Sequence, residues 1–90
     1  MTLHQLKHFT RAVDHPVRSK IIELIEINEA LTVTELYVRM RSIDYAAICN
    51  HLRILRMAGV LEAKRSGRLS YHYVTPLFYQ LLQKLNDENN

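Results

Sequence analysis

Two groups of side chains in this 90-residue chain have the types and spacing to do chemistry. Tyr45, Ala46, Cys49, Asn50 and Arg53 recur at intervals of one, three and four residues, so on a helix they share one face. Asn can bond an adenine edge at N6 and N7, and a small, polar and basic face fits a nucleic-acid groove. Lys64, Arg65 and Arg68 surround a lone glycine, Gly67, and their charges suit phosphates. Charge follows the same division. Residues 39 to 68 hold seven basic side chains against two acidic ones, net +5, whereas the rest of the chain is net −2. One half of the sequence is suited to a polyanion, with an ordinary solvated basic face as the alternative.

Other candidates carry less. His4 and His8 stand at i and i+4, where Zn²⁺ could bridge them, but no third ligand accompanies the pair, and solvent or interface histidines are the preferred reading. No metal site is therefore assigned. Cys49, the single cysteine, permits no intrachain disulfide; it could be a redox switch beside Arg53, or simply a small residue on a groove face, which is the preferred reading. His51 could support packing or donate to a phosphate. There is no Ser-His-Asp pattern, no phosphate-cradling glycine loop and no paired carboxylates, so an enzyme is not expected and no cofactor is implied.

The elements that must position these residues can be read by period. Leu3, Leu6, Phe9 or Thr10, and Val13 give a first helix over roughly 2 to 13, stopped before Pro16. Pro16 opens a second helix with Val17, Ile21, Leu24 and Ile25 as its stripe. The capping-box form "TVTE" at 32 to 35 starts a short third helix, which buries Leu36 and Met40. Asp44 is the N-cap of a fourth, lined by Ile48, Leu52 and Leu55 and ended at Ala58-Gly59. Two β-prone runs, "VLEAKR" and "RLSYHYV", meet through Ser66-Gly67 as a hairpin, and Tyr71 and Tyr73 are assigned to its core face. A last helix spans about Pro76 to Leu85 with Leu77, Leu81, Leu82 and Leu85 as its stripe, and "NDENN" frays beyond it. The expected fold is mainly α with a β-hairpin wing: a winged helix-turn-helix in the order ααα, recognition helix, hairpin, α. Residues 1–90 form a single DNA-binding domain, since this length leaves no room for a second core.

The segments "HPVRSKIIELI", "LTVTEL" and "CNHLRILRMAGVLEAKRSGRLSYHYV" resemble the corresponding parts of the ArsR-like winged-helix transcriptional regulators, over roughly residues 12 to 78. The most specific part is the "HL..L..AG" run followed by "R.GR...Y". The resemblance implies a homodimer that binds operator DNA and represses transcription. It also implies that the first and last helices form the dimer interface, with the recognition helix at about 44 to 57 and the wing at 61 to 74. Metal-sensing relatives carry Cys-x-Cys on the third helix, where this chain has Val33 and Thr34. Others use His and carboxylates on the last helix, yet residues 76 to 90 contain no His and, as acids, only Asp87 and Glu88. The turn "RMRSIDY" lacks the usual glycine and is one residue longer, which leaves the placement of Tyr45 and Ala46 open.

The expected partners are double-stranded DNA and a second copy of the chain. No run approaches the roughly 18 apolar residues that span a bilayer, and no signal-peptide core opens the chain, so the expected location is the cytoplasm. The alternative function is a winged-helix protein-interaction module that never touches DNA.

Overall fold

A computed structural model describes residues 2–88. The element order is α1 (Leu3–Val13), α2 (Pro16–Asn28), α3 (Val33–Arg39), α4 (Tyr45–Met57), β1 (Leu61–Ser66), β2 (Leu69–Val74) and α5 (Pro76–Glu88). This is the expected winged helix-turn-helix, with the elements in the expected order.

Local signals start and stop the helices. The Thr32 hydroxyl accepts from the Glu35 amide at 3.2 Å while the Glu35 carboxylate accepts from the Thr32 amide at 2.9 Å, a complete capping box for α3. Those bonds, the backbone amide foremost, hold the Glu35 carboxyl below its ordinary pKa. Asp44 accepts from Ala47 N at 2.8 Å and caps α4. At the far end Gly59 takes φ +78°, and a Cβ there would lie 2.8 Å from Leu77 Cδ2. Glycine is favoured by the left-handed conformation, while the exposed Leu77 side chain can shift to admit a Cβ. Thr75 ties this corner together, its hydroxyl donating to Gly59 O at 2.6 Å and accepting from the Phe78 amide at 3.2 Å.

The core gathers one face of each helix. Phe9, Ile21, Ile25, Leu36, Ile48, Leu52, Leu55 and Val60 are all buried, so α4 is fixed along its whole inner face. Of the stripe expected for α5, Leu81 is buried and Leu85 packs against the core, while Leu77 and Leu82 are exposed and Phe78 joins Leu81 as the buried pair. Phe78 wins because its ring packs on Phe9 at a centroid distance of 6.0 Å. The helix also continues to Glu88, past the expected end at Leu85, and Asn89 and Asn90 of the expected frayed tail lie outside the described residues.

The hairpin departs from expectation in two ways. Ser66 pairs with Leu69, so the turn is Gly67-Arg68 rather than Ser66-Gly67, with positive φ at Gly67 alone, the type II′ pattern. The register then runs Leu61 with Val74, Ala63 with His72 and Arg65 with Ser70 on one face, and Glu62 with Tyr73 and Lys64 with Tyr71 on the other. Leu61 is buried against the helices, so this face is the one directed toward them at the base of the hairpin, although Ala63 and Arg65 stay exposed. His72 is consequently the buried strand residue, and Tyr71 and Tyr73 are half-exposed outside, correcting their assignment to the core face. Leu31 adds an isolated antiparallel bridge to His72, with His72 N donating to Leu31 O at 2.8 Å and Leu31 N to His72 O at 3.3 Å. This fastens the base of the wing to the chain entering α3.

Candidate nucleic-acid interface

The outer side of α4 presents Tyr45, Ala46, Asn50 and Arg53, all exposed. Arg53 Nη2 donates to Asn50 Oδ1 at 3.2 Å, and its Nη1 reaches Met57 Sδ at 3.5 Å. The amide and the guanidinium thus form one surface unit. Among the described residues the Asn50 amide N–H groups form no hydrogen bond, and its oxygen, bonded once by Arg53, keeps a second lone pair, so both can meet a base edge. Tyr45 meets Tyr37 of α3 edge-on at 5.7 Å, both partly exposed, so an aromatic pair flanks the start of the helix. The long turn before α4 therefore still delivers Tyr45 and Ala46 to the exposed surface.

Cys49 does not join that face. It is half-buried and lines a cavity of about 370 Å³ between α4 and the wing, together with Val33, Leu52, Arg56, Ala63, Ser70 and His72. One helical step of about 100° separates it from Asn50, enough to turn it from the outer face toward the hairpin.

The three wing cations also separate. Lys64 lies on the outer face, 3.5 Å from Glu62 and with Nζ 5.1 Å from the Tyr73 ring centroid. Arg65 sits on the inner face, in register with Ser70, and Arg68 occupies the turn. Among the described residues neither arginine forms an ion pair.

Two histidines join the elements: His51, for which the sequence leaves two readings open, and His72, to which it assigns no role. His51 stacks on His15 at 4.9 Å, and its Nδ1 is 3.4 Å from Arg18 Nη1. Arg18 in turn donates to the carbonyls of Ala12 and Arg11, so of the two readings of His51 the geometry supports packing, as the joint between α4 and the α1–α2 corner. Burial, followed by the charges of His15 and Arg18, lowers its pKa. His72 has Nε2 3.1 Å from Arg56 Nη1 and Nδ1 3.3 Å from Leu31 O. Arg56 can only donate, so Nε2 is the acceptor and the proton lies on Nδ1, directed at Leu31. Burial first, opposed by the Leu31 hydrogen bond and aided by the Arg56 charge, lowers the His72 pKa. No short-range pattern marks His72, because its partners lie 16 and 41 residues away. His4 and His8 are both exposed on α1. Among the described residues no three His, Cys, Asp or Glu side chains gather as a metal site.

No family model matches the chain. An uncharacterized HTH-type transcriptional regulator of Methanocaldococcus jannaschii is 27% identical over 78 residues, covering 87% of this chain and 86% of that protein. Among solved structures, one described as a possible transcriptional regulator for arsenical resistance is 28% identical with a TM-score of 0.77, covering 97% of this chain and 84% of that one. An ArsR family transcriptional regulator at 17% identity superposes with a TM-score of 0.84, covering 99% of this chain and 90% of that one. The fold is that of the ArsR-like winged-helix transcriptional regulators. Among the described residues no helix is long and apolar enough to cross a membrane.

Proposed function

We propose that this ArsR-like chain is a sequence-specific DNA-binding regulator, acting in the cytoplasm as a homodimer on a pseudo-palindromic operator and repressing transcription. One observation carries the reading: α4 offers an exposed, acid-free face of Tyr45, Ala46, Asn50 and Arg53, and the unpaired guanidiniums of Arg65 and Arg68 stand on the wing beside it. The helix supplies groups that can read base edges, and the wing supplies charges for phosphates. The regulators it resembles usually repress, and that resemblance supports the direction of control. Dimerisation is supported by exposed apolar residues on the outer helices, namely Leu3 of α1 and Leu77, Tyr79 and Leu82 of α5. In a dimer the two α4 helices would address half-sites about 34 Å apart.

Selection from a random duplex library followed by gel shift tests the function, and an enriched pseudo-palindrome is the expected outcome. Sedimentation tests the assembly: a concentration-independent 10.6 kDa species at micromolar protein would refute the dimer. The alternative, a protein-docking module, has the exposed Tyr37, Val38 and Tyr45 cluster in its favour. Failure to enrich any duplex at low salt would favour that reading.

A further inference from the structure

The cleft between α4 and the wing has the makings of an anion site. Arg56 lines it from α4, and Ser70 and His72 line it from β2. Arg65, exposed, is the register partner of Ser70 and so shares the hairpin face that borders the cleft, one pair beyond Ala63 and His72 toward the turn. No carboxylate lines the cavity. The nearby acids are engaged elsewhere: Glu62 with Lys64 on the opposite face of the hairpin, Glu35 in its capping box and Asp44 at the start of α4. Arg56 is exposed and forms no ion pair among the described residues, and its one side-chain hydrogen bond is to a neutral acceptor, His72 Nε2. A guanidinium held in place at one nitrogen, with no other side-chain hydrogen bond among the described residues and a second arginine, Arg65, on the hairpin face that borders the cleft, suits an oxygen-rich anion.

We propose that this cleft binds one backbone phosphate of double-stranded DNA, gripped between Arg56 and Arg65 with the Ser70 hydroxyl as a further donor, and that His72 is the positioning residue for Arg56. The inference rests on the DNA-binding reading and deepens it. The phosphate would be the one passing between the groove entered by α4 and the groove flanked by the wing, so a single contact would fix the spacing of the two elements. His72 orients Arg56 as a neutral acceptor while its Nδ1–H holds the Leu31 carbonyl at the entrance to α3. The hydrogen-bond chain Leu31, His72, Arg56 thus links the helix-turn-helix, the wing and the phosphate.

Binding isotherms over a salt series test this, using a duplex selected by the wild-type protein and a scrambled duplex of equal length. Arg56→Gln and Arg65→Gln should each lower the salt slope by less than one ion on both duplexes, because the remaining guanidinium still sits on the phosphate. The double variant should lower the slope by about one ion and weaken binding roughly tenfold at about 0.1 M salt. His72→Leu should reproduce the slope loss of Arg56→Gln, while His72→Gln, which retains an acceptor, should restore the wild-type slope. A purely structural role for His72 would lower stability in urea yet leave the slope of the folded protein unchanged, and that result would overturn the positioning claim. A loss near two ions in the double variant would mean two separate phosphates, and an unchanged slope would mean none. Either overturns the shared site while leaving the DNA-binding reading intact. Absence of any duplex binding by the wild type would overturn both.

Discussion

The recognition helix and the wing carry similar charge but hold it differently. On α4 the inner face is sealed by Ile48, Leu52 and Leu55, all at 0% exposure, so the outer side chains project from a fixed platform. Asn50 and Arg53 are further tied to each other. On the wing, β1 is buried only at Leu61, and the hairpin is fastened at its base by the Leu31 bridge and His72. Base reading needs hydrogen-bonding groups held to a fraction of an ångström, whereas a phosphate attracts a cation over several ångströms. The rigid element is therefore suited to specificity and the lightly anchored one to attraction.

The joint between the two regions should give the largest effect. Gly59→Ala places a methyl 2.8 Å from Leu77 Cδ2 in a left-handed conformation. It should cost about 1–2 kcal/mol, chiefly from the left-handed backbone, read as a lowered urea midpoint, and an unchanged midpoint would show that α4 and the wing need no glycine between them. Asp44→Ala removes the cap of α4 while leaving the wing untouched, and should cost about 1 kcal/mol of stability. Its loss of affinity should be greater on a selected duplex than on a scrambled one, since only the reader is loosened. The smallest effect is that of pH. His51 and His72 both have folded pKa values below the unfolded value near 6.5, so below that value the unfolded chain binds more protons. Their stabilising contribution is complete above about pH 6.5 and is lost as pH falls from there toward the folded values. Replacing His72 with Gln should flatten part of that decline in denaturation experiments, and a profile unaltered by the substitution would remove His72 from the account.

What the sequence made legible was local. Thr32, Asp44 and Gly59 declare themselves because each acts on backbone within a few residues, and those signals bound α3, α4 and the start of the wing. The exposure of Asn50 and Arg53 followed from helical period alone. The facing of the hairpin did not: alternation shows that two faces exist, but which one turns inward depends on Leu61 meeting the helices. Tyr71 and Tyr73 looked the more apolar choice, and His72 took the inner place because its ring nitrogens find Arg56 and Leu31. The place of Phe78 in the α5 stripe was missed for a similar reason, since its contact with Phe9 joins the last helix to the first. Cys49 moved from groove to cleft because one helical step separates those two environments.

The division into reader and clamp is tested most directly by salt-series isotherms of Asn50→Ala and Arg68→Ala on the selected duplex and its scrambled counterpart. Arg68, at the wing turn, forms no ion pair among the described residues and does not line the cleft that Arg56 lines. Arg68→Ala should weaken binding to both duplexes alike and lower the salt slope by about one ion. Asn50→Ala should cost roughly 1–3 kcal/mol on the selected duplex, leave the scrambled one nearly unchanged and relax the preference at one base pair. If Asn50→Ala instead weakened both duplexes equally while Arg68→Ala affected only the selected one, the roles assigned to helix and wing would be reversed.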